Sequence, residues 1–289
     1  MEAYEAIDQI RSIKPSQLIL TGGDVFERDD LDQLIGYARR CGLEPSVEVS
    51  GTSNLTQLSV QRLAQAGARR LVIGLDGTEA TDHESVRGSR GTFGGTVAAA
   101  RWAHQASMQV EANTVATPKT LAHFTQLATL LEGLAVERWN IWFPVPVNDS
   151  RGIPMLTAFE TEALFELIYE AGLERDLAIR LFEAPHFHRF VAQRGQSMRT
   201  SVANDVVFVT STGNVTPGPF CDVRAGNLRS QELSTIISSA VFSTFRRTAP
   251  LTGKCGCCEW RHCCGGSRAR ALAMLGDVFA SDPLCAYQP

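Results

Sequence analysis

The stretch "RRLVIGLDG", residues 69–77, decides the fold. Its centre is continuously apolar and it ends in an Asp-Gly turn. A strand of that kind is covered on both faces, as in a parallel sheet sandwiched by helices. Its neighbours repeat the theme. "QLILTGG" (17–23) and "PSVEVSG" (45–51) precede it, while "MQVEANTVAT" (108–117) and "ERWNIWFPVPV" (137–147) follow. Between them lie amphipathic segments. Leu31, Leu34, Ile35 and Ala38 share one helical face, and Gly42 stops that helix; Val60, Leu63, Ala64 and Gly67 mark the next. Residues 92–106 read as a helix, and Phe124, Leu127, Ala128 and Leu131 mark another. Five strands alternating with helices imply right-handed βα units in a barrel or an open doubly wound sheet.

After Pro146 the rhythm changes. "TAFE" (157–160) has capping-box spacing and opens a helix with Leu164, Leu167, Ile168 and Ala171 on its apolar face. "DLAIRLFEAP" is one more strand, and polar residues 192–204 are the expected boundary. Beyond them "DVVFVTSTGNVTPG" predicts a hairpin turning at Thr212-Gly213-Asn214, followed by a helix near 231–247.

Composition excludes several classes. A formal charge of −4 and a pI near 5.9 give no electrostatic reason to expect nucleic acid or an anionic membrane. No apolar run approaches the ~20 residues of a membrane span. "MEAYEAIDQIRSIKPS" carries charges where a signal peptide is apolar. The expected location is the cytoplasm, where thiols stay reduced.

Ligands of parallel α/β proteins bind at the C-terminal ends of the strands. Those ends carry Gly22-Gly23-Asp24, Ser50-Gly51-Thr52, Asp76-Gly77, Asn113-Thr114 and the prolines at 144–146. A glycine pair lets backbone approach a ligand, and Asp24 can accept from an ammonium or hydroxyl. Taken alone, each also reads as an ordinary turn. Arg87 and Arg90 fall in the glycine-punctuated stretch "HESVRGSRGTF" (83–93), read as a loop that either clamps a carboxylate or is simply solvated. His186 and His188 in "EAPHFHRF" are pocket candidates or partly exposed loop histidines. Trp139, Trp142 and Phe143 are core residues or a stacking surface. The arginines of "SRARAL" (267–272) are either solvated or in contact with a nearby metal site.

Six of the eight cysteines crowd into "KCGCCEWRHCCGGSRARALAMLGDVFASDPLC" (254–285); Cys41 and Cys221 stand apart. Cys255, Cys258 and Cys264 are spaced C-x2-C-x5-C, and Cys285 follows after twenty residues. The reducing compartment disfavours disulfides. Four thiolates suit either a zinc ion or a four-iron cluster; the asymmetric spacing tilts toward iron and leaves zinc open. Cys257 and Cys263 are spare thiols or alternative ligands. Cys41, at a helix end, reads as structural.

"LILTGGD", the strand ending in "GLDG", the "H-x3-RG-x2-GTF" loop and the cysteine tail occur in that order over essentially the whole chain. In this the sequence resembles the radical S-adenosylmethionine enzymes with a SPASM-type C-terminal domain, near the branch acting on tetrapyrroles in haem d1 and alternative haem synthesis. Peptide-modifying maturases are more distant relatives. The resemblance implies a partial (β/α)6 barrel followed by a small α+β iron–sulfur domain, divided as barrel (1–150), last barrel unit and bridging segment (151–200) and cluster domain (201–289). It places Gly22, Gly23 and Asp24 at the methionine ammonium, and Ser50, Asp76 and Arg87 at the ribose or methionine carboxylate. Asp24 is one methylene shorter than the family's glutamate. Cys255, Cys258, Cys264 and Cys285 are the implied ligands of one auxiliary 4Fe-4S cluster. Arg268 stands where many relatives have a cysteine of a second.

The family's C-x3-C-x2-C motif, which holds the radical-generating cluster, is absent from the 289 residues. The expectation is therefore an N-terminally shortened form of an active enzyme, inactive by itself. The alternative is a non-catalytic iron–sulfur or zinc protein on a degenerate barrel. The implied cofactors of the intact enzyme are S-adenosylmethionine and two clusters. The implied partners are a tetrapyrrole, another small molecule or a peptide as substrate, and a flavodoxin or ferredoxin as reductant.

Overall fold

A computed structural model describes residues 2–147, 152–195, 200–202, 206–246 and 250–289. Each predicted strand forms where the apolar runs lie: β1 (Leu18–Leu20), β2 (Pro45–Val49), β3 (Arg70–Gly74), β4 (Gln109–Val115), β5 (Arg138–Trp142) and β6 (Ala178–Phe182). The short β7 (Ser201–Val202) adds a strand inside the stretch read as a polar boundary. It pairs with β6 in parallel through Arg180 and Leu181, so backbone hydrogen bonding rather than an apolar run specifies it. Sheet order is β1-β2-β3-β4-β5-β6-β7, and the pairs β1–β2, β2–β3 and β3–β4 are parallel. This is the expected partial α/β barrel. The choice between barrel and doubly wound sheet falls to the barrel, because the strands never reverse their order.

The connecting helices are α1 (Glu2–Ser12), α2 (Leu31–Arg40), α3 (Gln57–Ala66), α4 (Ala80–Arg87), α5 (Thr92–Gln105), α6 (Pro118–Ala122), α7 (Phe124–Gly133), α8 (Ala158–Glu174) and α9 (Phe187–Ala192). Gly67 ends α3 at φ +106°, where a side chain would strain the backbone and strike Arg39. The capping box at Thr157 forms: Glu160 N donates to Thr157 Oγ1 at 3.2 Å, and Thr157 N to Glu160 Oε2 at 2.7 Å. Thr56 and Ser59 make a second box at α3.

The chain divides into two compact units, Met1–Thr114 with His123–Asn140, and Val115–Ala122 with Ile141–Pro289. In the first, Val47, Leu71, Val72, Ile73 and Val110 are fully buried. Trp139 belongs to this core: it stacks on Phe124 at 4.8 Å and donates Nε1–H to Thr114 Oγ1 at 2.8 Å. In the second, Phe143, Phe165 and Phe187 pack together. The hairpin appears as β8 (Phe208–Val209) and β9 (Asn214–Thr216), with Gly213 at φ +81° in the turn and β10 (Gly226–Asn227) completing a three-stranded sheet. The helix expected near 231–247 is broken into α10 (Leu233–Ile237) and α11 (Ala240–Phe245), with the backbone extended at Ser239 between them. Then come α12 (Gly253–Cys257) and α13 (Arg268–Leu275). The boundary expected between 150 and 151 lies outside the described residues.

Candidate cofactor sites at the strand ends and in the cysteine cavity

Every residue proposed for the nucleotide lies in the first unit, in the segments after β1, β2 and β3. Gly22 and Gly23 need glycine for neither sterics nor torsion: a Cβ on either meets nothing within 4 Å, and neither has positive φ. The open space lies beside their backbone. Asp24 caps a 3-10 turn (Val25–Glu27), accepting from Phe26 N at 3.0 Å. Its other oxygen accepts from Thr52 Oγ1 at 2.7 Å and Asn54 Nδ2 at 2.8 Å. Burial raises its pKa, but these three donors outweigh it and hold the carboxyl below its usual value, so Asp24 is an anion. Ser50 Oγ donates to Gly23 O at 3.0 Å, tying the second strand end to the first.

Asp76 is buried and paired, its Oδ2 2.6 Å from Arg87 Nε. Arg87 is not in a loop, as the glycines suggested, but closes α4, whose C-cap is Gly88 at φ +67°. Its guanidinium crosses β3 at Gly74, where an added Cβ would fall 2.0 Å from Nη2. With Nε on Asp76, the guanidinium also carries Nη groups, donors of the kind that hold an anionic ligand.

Asn113 was a strand-end candidate in the sequence; the polar network around it was not. Glu48, Glu111, Asn113 and Asn140 sit within strands and join by side chain: Asn113 Nδ2 donates to Glu48 Oε1 at 2.7 Å, and Asn140 Nδ2 to Asn113 Oδ1 at 3.0 Å. Buried Glu111 is neutralised by Arg138 at 2.8 Å and Arg70 at 3.5 Å. The signal was legible as polar residues at period two inside "PSVEV" and "QVEANTV".

The second unit holds the cysteines. Cys255, Cys258, Cys264 and Cys285 line one cavity of about 340 Å³, counting its open mouth, together with Arg189, Lys254, Arg261, Gly265, Tyr287 and Pro289. The spare thiols turn away to local carbonyls: Cys257 Sγ lies 3.5 Å from Lys254 O, and Cys263 Sγ 3.3 Å from Trp260 O. Cys264 Sγ accepts from Gly266 N at 3.4 Å. Burial pushes its thiol up to about 12 and also raises Cys258 and Cys285, so these groups hold their protons until a cation displaces them. Cys221 is buried elsewhere, and Cys41 is half-buried at the end of α2. Among the described residues no three His, Cys, Asp or Glu side chains cluster tightly enough to grip a single metal ion.

The arginines of "SRARAL" are not solvated. Arg270 is fully buried and forks onto Asp282 with two bonds of 2.9 Å, while reaching Glu183 O at 2.7 Å and Pro144 O at 3.2 Å. Arg268 staples Val278 O at 2.6 Å and Ala280 O at 2.7 Å. His186 is fully buried rather than exposed, 3.8 Å from Asp282, and burial pushes it down to about 3; it is neutral.

The structure thus combines an α/β half-barrel with small residues at its strand ends and, in the second unit, a cavity lined by four thiols. A model of the SPASM iron–sulfur cluster-binding domain matches residues 201–259. The chain belongs to the radical S-adenosylmethionine family that carries this domain. It is 31% identical to the AdoMet-dependent heme synthase of Nitratidesulfovibrio vulgaris, covering 100% of this chain and 83% of that one. It is 27% identical to the PqqA peptide cyclase of Methylocella silvestris, covering 93% and 74%. Streptococcus suis SuiB bound to S-adenosylmethionine shares the fold with a TM-score of 0.74 at 14% identity, over 99% of this chain and 70% of SuiB. No helix among the described residues is long and apolar enough to cross a membrane.

Proposed function

We propose that the chain binds S-adenosylmethionine at the strand ends of its first unit and one 4Fe-4S cluster in the cavity of its second, and that it serves radical chemistry on a tetrapyrrole. The observation that carries this reading is the convergence of four thiols, and only the four with cluster spacing, on one cavity. Zinc bonded at about 2.3 Å to each sulfur would draw four thiolates nearly into contact. A four-iron cube holds its cysteines at separate corners. Thiols spread around a cavity fit the larger guest. Residues 201–289 form the cluster domain in this reading, residues 1–150 the barrel, and 151–200 the link.

Gly22 and Gly23 leave room for the methionine end, and Asp24 supplies a carboxylate for its ammonium. Ser50 orders the Gly23 carbonyl. Arg87, held by Asp76, presents guanidinium N–H groups to a carboxylate. When bound to a reduced cluster, S-adenosylmethionine supplies a deoxyadenosyl radical that abstracts hydrogen from substrate. This sequence contains no C-x3-C-x2-C set, so no residue here is assigned to that radical-generating cluster. Cys255, Cys258, Cys264 and Cys285 would hold the auxiliary cluster, which would supply electron exchange with the product radical or a binding point for substrate; a flavodoxin or ferredoxin is the expected donor. The tetrapyrrole assignment follows the heme synthase relative, which matches this chain over its whole length and is more similar to it than the peptide cyclase.

Equilibrium dialysis with labelled S-adenosylmethionine tests the nucleotide half. Wild type is expected to bind, with Asp24→Ala and Arg87→Met each weakening binding at least tenfold, the loss of one charged contact. Equal binding by all three proteins would contradict the assignment.

A further inference from the structure

Arg189 on α9 is 5% exposed and lines the four-thiol cavity. Two of its nitrogens are satisfied: Nη1 donates to Gln193 Oε1 at 3.0 Å, and Nη2 pairs with Glu162. Its guanidinium also lies 5.2 Å over the Tyr287 ring, another wall of the cavity. Nε–H is buried and has no acceptor among the described residues. A buried donor left unmade costs about 1–3 kcal/mol, more when charged, so such a group at a cavity wall signals an acceptor supplied by the occupant. Arg268 Nη2 is also unpartnered, but Arg268 does not line the cavity and its other two nitrogens are committed to main-chain carbonyls. The charge of Arg189 acts on Cys258 and Cys285, two of the four proposed ligands.

We infer that Arg189 donates Nε–H to a sulfur of the auxiliary cluster and raises that cluster's reduction potential. The inference rests on the cluster reading above and adds a tuning residue to it. A four-iron cluster with four thiolates is anionic and becomes more so on taking an electron. A buried cationic donor on its sulfur therefore stabilises the reduced form more than the oxidised one. Its pairing with Glu162 fixes the guanidinium plane and leaves Nε as the free edge. Lys254 and Arg261 supply further positive charge at the same wall, but Lys254 is occupied by the Cys285 carbonyl.

The test is a potentiometric titration, followed by visible absorbance and electron paramagnetic resonance, of the full chain after anaerobic reconstitution. Wild type, Arg189→Met and Arg189→Lys are compared, with iron content and circular dichroism reported for each. The expected result is a more negative midpoint potential in both variants at unchanged iron content. The shift should be smaller in Arg189→Lys, which keeps the charge and loses the planar Nε donor. Identical potentials in wild type and Arg189→Lys, with four irons bound in each, would overturn the inference while leaving the cluster reading intact. If Arg189→Met folds but loads no iron, Arg189→Lys decides by the same criterion. A wild type that takes up zinc and no iron overturns the cluster reading and this inference together.

Discussion

Gly74 has no side chain because Arg87 passes over it. The guanidinium would lie 2.0 Å from any Cβ there, so Gly74→Ala must drive Arg87 off Asp76 and strand a buried carboxylate. A loss of about 2–4 kcal/mol is expected from overpacking and a broken buried pair, read as a fall in urea midpoint, with weakened S-adenosylmethionine binding. An unchanged midpoint would show that Arg87 has another resting place. Arg270 and Asp282 make a second such pair, both fully buried. Asp282→Ala leaves Arg270 uncompensated and is expected to cost about 3–5 kcal/mol by chemical denaturation; a cost below 1 kcal/mol would contradict the pairing.

His186 gives the molecule a pH dependence whose sign is fixed. Burial holds its folded pKa at about 3, against about 6.5 in an unfolded chain. Between those values the unfolded state takes a proton that the folded state refuses. Stability is therefore complete above the upper value and falls as pH drops through the window, by up to ~1.4 kcal/mol per pH unit. Denaturation midpoints at several pH values between 7 and 4.5 should fall less steeply in His186→Asn than in wild type; equal slopes would place the titration elsewhere. The cysteine spacing was legible in the sequence because ligands of one loop are close in the chain. Arg189 was not, since it reaches the cavity from a helix 66 residues before Cys255.

Elements were legible where one signal dominated. The apolar runs located six strands, and the Thr157–Glu160 spacing located the start of α8. Removing that cap through Thr157→Ala is expected to cost about 1 kcal/mol, measured as a drop in the thermal midpoint; no change would mean that packing of Leu164, Phe165 and Ile168 alone sets the helix start. Where two signals competed, the sequence misled. The glycines of "HESVRGSRGTF" suggested a loop, but Gly88 and Gly91 lie in left-handed turns flanking two helices, which puts Arg87 on a helix end. The "SRARAL" arginines were left as either solvated or in contact with a metal site, because composition carries no information about acceptors. Asp282 and the carbonyls of residues 278 and 280, supplied by later residues, draw both inward.

At the scale of the molecule, each of the two units carries one candidate site. The alternation of strands and helices was readable in the sequence but left barrel and doubly wound sheet open, with the barrel implied only by resemblance; the density of sulfur marked the C-terminal domain. The polar arc through Glu48, Asn113 and Asn140 belongs to the first unit; its period-two spacing lies in the sequence, but which residues pair appears only when the strands are laid side by side. The central claim is that four cysteines hold one iron–sulfur cluster, and it is tested most directly by counting metal. Iron, acid-labile sulfide and zinc are measured per chain after anaerobic reconstitution of wild type and of the Cys258→Ala/Cys264→Ala double variant. About four irons with matching sulfide in wild type, lost in the double variant, is the predicted result. One zinc and no iron would contradict it and leave a zinc-stapled domain in its place.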